Sequence, residues 1–535
     1  MRHLILLLTA LTWAFAANAA EPAPGEEYVP LAAAMGIELP APVAQTAPTR
    51  GQGPFKTLLI RNVMLISGEG APPQGPLAIE IVGDRINRVG NAAFWDYGEA
   101  EVEVIDGTGM YALPGFVDAH VHLGNPLQGL TGAITPPEYV FKLWLAHGIT
   151  TVRDVGALMG LEWTLDHKQR SDQGEIAAPR MRVYPMFPGG TIVDAAGARQ
   201  WLRAVRRKGA DGVKIRSATR AASEALYAEA QALGIGTANH HDQTSVYHTN
   251  VLDSARLGLE SMEHWYGLPE ALLTGTTVQD YPADYNYSDE QWRFGEAGKL
   301  WMQAAPPGSE KWNAVRDELI SLDFTLVPTF TIYEANRDVD RARLAPWHED
   351  YTFPALRRFF EPDPRLHGSY HFDWTTEHEV SWRENYARWM AFVNDYKNQG
   401  GRVAAGSDAG FIFKLFGFAF IRELEMLQEA GFHPLEVVQA ATLNGAELLG
   451  IEDEIGSIVP GKRADIVLVE ENPLANFKVL YGTGHRRLNR STNAMEVVGG
   501  VHTVIKDGIA YDAKALLTDV RNIVKDAKQQ EQAQP

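Results

Sequence analysis

Short apolar runs recur through the middle of this sequence, each followed by a stretch of helical character. There are eight: Leu113 to His122, Thr150 to Asp154, Arg182 to Phe187, Gly212 to Ile215, Gly236 to His240, Leu259 to His264, Leu326 to Thr331 and Val403 to Asp408. Runs this short and this apolar read as strands covered on both faces, and parallel strands are the ones joined by helices. The count predicts an α/β fold with a closed parallel barrel over residues 113–454. Two connections exceed what a helical return needs, and they place insertions at about 266–323 and 333–400. Both follow the C-terminal ends of strands, where barrel enzymes build their sites, so they read as lids or substrate walls, or else as a dimer surface.

The two ends are different. Leu58 to Val63, Ala78 to Val82 and Arg85 to Val89 read as strands with a turn at Gly83-Asp84, and so do Ala464 to Val469 and Val501 to Gly508. Residues 54–112 and 455–515 are therefore expected to join into one small β-sandwich, with 516–535 as a tail. At 535 residues the chain has room for both units.

Composition narrows the function. With 67 acidic against 48 basic residues the net charge is −19, which disfavours nucleic acid and anionic membrane as partners. There is no cysteine, so disulfides, thiolate metal sites and cysteine nucleophiles are excluded. Any metal must be held by His, Asp, Glu or a modified Lys. Arg2 and His3, the apolar run Leu4 to Phe15 and Ala17-Asn18-Ala19 have the form of an export signal over residues 1–19, which implies a periplasmic or secreted protein. Residues 20–53, rich in Pro and Ala, read as an arm. No later stretch is apolar enough for a membrane span.

Alternate side chains of a strand share a face, so His120 and His122 point the same way at the end of an apolar strand. Two imidazoles side by side make half of a metal site. His240, His264 and Asp408 also end apolar strands. Each alone reads better as a satisfied polar residue than as a ligand, but the recurrence is hard to explain by packing. Lys214 lies between apolar neighbours, where an ammonium ion is costly. Either a carboxylate pairs with it, or its amine takes up carbon dioxide and becomes a carbamate able to bridge two metals.

With these residues in place the sequence resembles the amidohydrolase superfamily, near its imidazolonepropionase-like and prolidase-like hydrolases. The markers are Leu113-Pro114-Gly115-Phe116-Val117-Asp118-Ala119-His120-Val121-His122, Gly148-Ile149-Thr150-Thr151-Val152-Arg153-Asp154, Glu263-His264 and Gly406-Ser407-Asp408. Ala441-Thr442-Leu443-Asn444-Gly445-Ala446 and Gly456 to Val467 follow. The resemblance covers Thr57 to Ala513. It implies a (β/α)8 TIM-like barrel with a β-sandwich built from both termini, and two divalent metal ions, zinc foremost. His120, His122 and Asp408 would hold the more buried ion, His240 and His264 the other, and carbamylated Lys214 would bridge them. A hydroxide between the metals would attack the substrate, and Asp408 would pass its proton to the leaving group. At strand five the chain reads Asn239-His240-His241-Asp242. Neighbouring side chains of a strand point apart, so one histidine is the ligand. His240 is preferred, and His241 is left to face outward or touch substrate.

The expected reaction is cleavage of an amide or peptide C–N bond in a small molecule such as a dipeptide or N-acyl amino acid. A cyclic imide, lactone or ester hydrolase is the alternative, followed by a deaminase or a non-catalytic binding protein. Arg216 and Arg220 follow the Lys214 strand and would clamp a carboxylate, unless they are surface cations. Tyr247 and Tyr333 would line an aromatic pocket, or pack a lid. A homo-oligomer is compatible with all of this.

Overall fold

The computed structural model describes residue 32, residues 35–44 and residues 51–533. The expected export signal and much of the expected arm lie outside these residues.

The middle of the chain is an alternation of parallel strands and helices. Strands β1 (Phe116–Val121), β2 (Ile149–Gly156) and β3 (Arg180–Pro185) pair in parallel in that order. A second parallel sheet runs β4 (Gly212–Ile215), β5 (Gly236–Asn239), β6 (Ser261–Glu263), β7 (Thr325–Val327) and β8 (Arg402–Val403). Every residue of β1, β2 and β4 is buried, as strands covered on both faces require. After β3, Met186 bridges to Lys214 and the Phe187 N–H donates to the Lys214 carbonyl at 2.8 Å. Past β8, the Ala405 carbonyl accepts from Ala119 N–H at 2.9 Å and Asp408 N–H donates to the His120 carbonyl at 2.8 Å. Backbone bonds thus connect both edges of one sheet to the other.

The helices between strands have local causes. Ala195–Lys208 starts at Asp194, whose carboxylate accepts from Ala196 and Gly197 N–H. Arg206, Arg207 and Lys208 face the negative end of its dipole, and Gly209, at φ 116°, ends it. Ala198, Leu202 and Val205 form its buried stripe. Thr376–Asn398 lies inside the insertion expected over 333–400. It buries Trp382, Tyr386, Trp389, Val393 and Tyr396 at helical spacing, and leads straight into β8.

The strands from the two ends form one nine-stranded sheet. Its path runs Gly51–Gln52, Ile509–Asp512, Val501–Lys506, Ile466–Val469, Tyr111–Pro114, Thr57–Leu65, Gln74–Val82, Arg85–Gly90, with Glu103–Asp106 beside Thr57–Leu65. Leu58, Ile60, Ile79, Ile86, Ile466 and Ile505 share one apolar cluster within it. The run expected as one strand from Leu113 to His122 is divided at Gly115. Leu113 and Pro114 pair with Val467 and Ile466 in the end-built sheet, whereas Phe116 onward belongs to β1. A side chain at 115 would lie 2.1 Å from Thr150 Oγ1, so glycine is required where the chain passes from one sheet to the other. Most of the tail expected over 516–535 belongs to the helix Ala513–Ala533, which buries Leu516, Leu517, Val520 and Val524. Among the described residues no helix is long and apolar enough to cross a membrane.

Candidate metal centre

The polar residues that end the parallel strands converge. His120 and His122 share a face at the end of β1, with ring centroids 5.4 Å apart. The His264 ring, after β6, lies 4.8 Å from that of His120 and 4.8 Å from that of His240. His240 follows β5 in register, its N–H donating to the Ile215 carbonyl at 2.9 Å. His241 turns the other way, with Nε2 2.9 Å from Ser254 Oγ in the helix Val251–Arg256. Asp408 completes the group: Oδ1 is 3.5 Å from His120 Nε2 and 3.2 Å from His122 Nε2, and Oδ2 is 3.6 Å from His264 Nε2. Lys214 is buried on β4.

The backbone at the centre is held in unusual conformations. His264 (φ 62°), Thr329 (φ 46°) and Asp408 (φ 47°) are all left-handed and none is glycine. Such strain persists where surrounding bonds impose it, and it gathers at functional sites. The turn at His264 lets its ring reach the centre although Glu263, one residue before it, also points inward.

Electrostatics suit cation ligation. Burial holds His120 and His240 neutral, far below the usual imidazole range, and His264 at about 4. Burial would raise the Asp408 carboxyl, but His120, His122 and His264 outweigh it and keep Asp408 ionised. Burial lowers the Lys214 ammonium to about 8. Lys214 Nζ, Asp408 Oδ1 and His122 Nδ1 are buried without a hydrogen bond. Two ligand atoms each about 2.0–2.1 Å from one tetrahedral ion stand roughly 3.3 Å apart. The Asp408 contacts straddle that separation, and the nearest atoms of His120, His264 and Asp408 all lie within 4.8 Å of one another. The residues therefore fit a divalent metal on nitrogen and oxygen ligands.

Several supporting groups, most of them inside the marker runs, had no role that the sequence assigned. Glu263 meets His120 Nδ1 and Arg153. Thr329 Oγ1 lies 2.5 Å from His264 Nδ1. Asp118 accepts from Ser407 N–H at 2.9 Å and Ser407 Oγ at 2.6 Å, tying the Asp408 turn to β1. The sequence does offer one signal, since Asp118 and Arg153 are charges inside apolar strands and need partners.

Aromatic groups and arginines surround the centre. Tyr333 is buried with its ring 5.9 Å from that of His264, and Tyr266 lies 6.0 Å from the His240 ring. Tyr287, from the first insertion, donates to Asp242 Oδ1 at 2.7 Å, and Arg216 Nε is 3.6 Å from Asp242 Oδ2. Arg293 in the helix Glu290–Ala297 lies 5.1 Å from the ring centres of Tyr287 and Phe294. Its charge, like that of Arg216, acts on Tyr333. Arg216, Arg220 and Tyr247 all stand exposed, and of the three only Arg216 has an ion pair near the centre.

Residues 384–510 match the amidohydrolase family. Adenine deaminase of Lysinibacillus sphaericus (strain C3-41) is 22% identical over 399 residues, 72% of this chain and 50% of that protein, so the chain spans about half the length of that relative. A 98-residue stretch, 18% of this chain, is 41% identical to 14% of adenine deaminase of Gluconobacter oxydans (strain 621H). Among solved structures, a Xaa-Pro dipeptidase with methionine bound in its active site superposes with a TM-score of 0.57 at 20% identity, covering 85% of this chain and 100% of that one. A bottromycin amidohydrolase superposes with a TM-score of 0.60 at 19% identity, covering 88% and 91%. Molinate hydrolase gives 0.56 at 17%, covering 87% and 96%. At these identities the structural likeness is one of fold.

Proposed function

We propose that this chain, a member of the amidohydrolase superfamily, hydrolyses an amide or peptide C–N bond with the aid of two divalent metal ions, zinc foremost. The observation that carries the reading is the approach of Asp408 to the Nε2 atoms of three histidines, at 3.2–3.6 Å, in a buried site. The eight parallel strands are read as a (β/α)8 barrel, with the centre at their C-terminal ends. His120, His122 and Asp408 would hold one ion and His240 and His264 the other. Lys214, lowered to about 8, loses its proton readily enough to take up carbon dioxide, and its carbamate would span both. When bound, such ions activate a water and polarise the substrate carbonyl. Asp408, ionised beside that position, accepts the water's proton and returns it to the departing nitrogen. Tyr266 and Tyr333 exclude bulk water. Arg216 and Arg293 supply positive charge for a carboxylate, which favours a dipeptide or N-acyl amino acid, and the dipeptidase among the structural neighbours is in keeping with that. Export is part of the same proposal and rests on the composition of residues 1–19.

Metal content by elemental analysis of the wild type and Lys214→Ala, with hydrolysis of a dipeptide and N-acyl amino acid panel, tests the reading. Two metals per chain are expected in the wild type, with metal and activity falling together in the variant. One metal per chain, unchanged by the substitution, would overturn the two-metal site. The deaminase relatives support a second reading, in which an aminopurine loses ammonia. Ammonia release from adenine without turnover of any amide would bring it forward.

A further inference from the structure

We infer that Glu263, held in place by Arg153, is the positioning residue that fixes which nitrogen His120 offers to the metal. The inference rests on the metal-site reading above. An imidazole presents one nitrogen to an ion only when its other N–H is committed elsewhere, and the partner of that N–H sets tautomer, ring orientation and basicity. His120 Nδ1 lies 2.5 Å from Glu263 Oε2, so the proton sits on Nδ1 and the Nε2 lone pair faces Asp408.

Glu263 and Arg153 are both fully buried. A carboxylate in such a place needs its remaining oxygen satisfied as well. Arg153 Nη2 donates to Glu263 Oε1 at 2.7 Å, and Ser261 Oγ lies 3.2 Å from the same oxygen. The rest of the guanidinium is equally committed: Nε donates to the Ala119 carbonyl at 2.6 Å and Nη1 to Ser261 Oγ at 2.9 Å. Ser261 and Glu263, two apart on β6, face the same side, which is why one arginine reaches both. Ala119 immediately precedes His120. Arg153 on β2 therefore fixes the backbone of β1 next to the histidine and, through Glu263, the histidine's ring. The loop of contacts joins three strands, and each contact constrains the others.

The other histidines are supported differently. His264 Nδ1 meets the neutral hydroxyl of Thr329, and His122 Nδ1 has no hydrogen-bond partner. Among these three, only His120 has a carboxyl group at its outer nitrogen. A carboxylate there draws the Nδ1 proton toward itself and makes Nε2 a stronger donor to a cation. Glu263 should accordingly control the affinity of the ion on His120 more than that of its neighbour.

The test uses full-length metal-stripped protein titrated with zinc against a competing chelator. It compares the wild type, Glu263→Gln, Glu263→Asp and the double variant Glu263→Gln/Arg153→Gln. Glu263→Gln should weaken one of two zinc ions by roughly ten- to a hundred-fold and leave the other within a few-fold. Glu263→Asp, which keeps the charge, should recover part of the loss. The cobalt-loaded protein should show altered visible bands in Glu263→Gln, a change that lost packing alone would not produce. The double variant leaves no buried charge unpaired, and it should show the same weakening if Glu263→Gln folds poorly. If no variant folds, cobalt-loaded wild type should still show a shifted, exchange-protected Nδ1–H proton resonance, and its absence would overturn the inference. Wild-type affinity in Glu263→Gln and the double variant would also overturn it while leaving the metal site standing. A wild type that takes up no zinc would instead remove the metal reading itself.

Discussion

Glu423 illustrates how much of this site is decided by single side chains far from it in sequence. It is fully buried, and its two oxygens accept from Phe330 N–H at 2.9 Å and Thr331 N–H at 2.8 Å. Those amides follow Thr329, whose left-handed backbone places its hydroxyl against His264. Burial pushes the Glu423 carboxyl up from 4.5 to about 8, against the pull of its two N–H donors. Between those values the folded chain holds a proton that the unfolded chain releases. The stabilisation is therefore complete below about pH 4.5 and is lost as pH rises through about 8. Glu423→Gln keeps only one acceptor oxygen, so an amide of the turn loses its bond at a cost of about 1–3 kcal/mol, and the proton-linked stability is lost too. Denaturant unfolding at pH 5 and pH 8.5 should show the wild type much more stable than the variant at the lower pH and closer to it at the higher. A gap that does not change with pH would refute this account. The partners of such residues were not legible. The Asp118–Ser407 contact spans 289 residues and the Glu423–Phe330 contact 93, and no local pattern encodes such a meeting. The strand-ending histidines and Asp408 were legible as candidates because period-two alternation fixes a shared face within a few residues.

At the scale of elements, the short buried strands announced themselves by composition, but their limits did not. The handover at Gly115 depends on the approach of Thr150, and only the fold reveals that approach. Thr376–Asn398 carried a readable stripe, but its many charged residues blend with the irregular segment before it. The first insertion brings the helix Glu290–Ala297 and with it Arg293, whose side chain is largely enclosed between Tyr287, Phe294 and Glu290. If this element recognises a substrate carboxylate, Arg293→Ala should raise KM by roughly ten- to a hundred-fold, the worth of one charged hydrogen bond, with little change in kcat. The effect should vanish for the same substrate with its carboxylate amidated. Equal losses on both substrates would make Arg293 a structural residue of the insertion.

The whole molecule is closed by its two ends. Strands from residues 51–114 and 466–512 form one sheet, and the helix Ala513–Ala533 then packs on the helix Pro137–Ala146, which connects β1 to β2. Lys142 in that connecting helix is buried and bonded to Asp519 at 3.0 Å. One apolar cluster contains Phe116, Val152 and Met181 of the parallel strands, Val467, Val504 and Tyr511 of the end-built sheet, and Leu517 and Val520 of the last helix. A core shared in this way gives no seam along which the end-built sheet would unfold alone. The candidate metal centre lies at the ends of strands that this core supports, so its integrity is coupled to a helix remote from it in sequence. Leu517→Ala should cost about 2–5 kcal/mol, the usual range for truncating a buried leucine. Loaded with zinc beforehand, the variant should lose tryptophan fluorescence and any bound metal in one coincident transition at lower denaturant, as a single cooperative unit does. Zinc retained beyond a first fluorescence change would show instead that the parallel strands stand without the sheet and helix contributed by the ends.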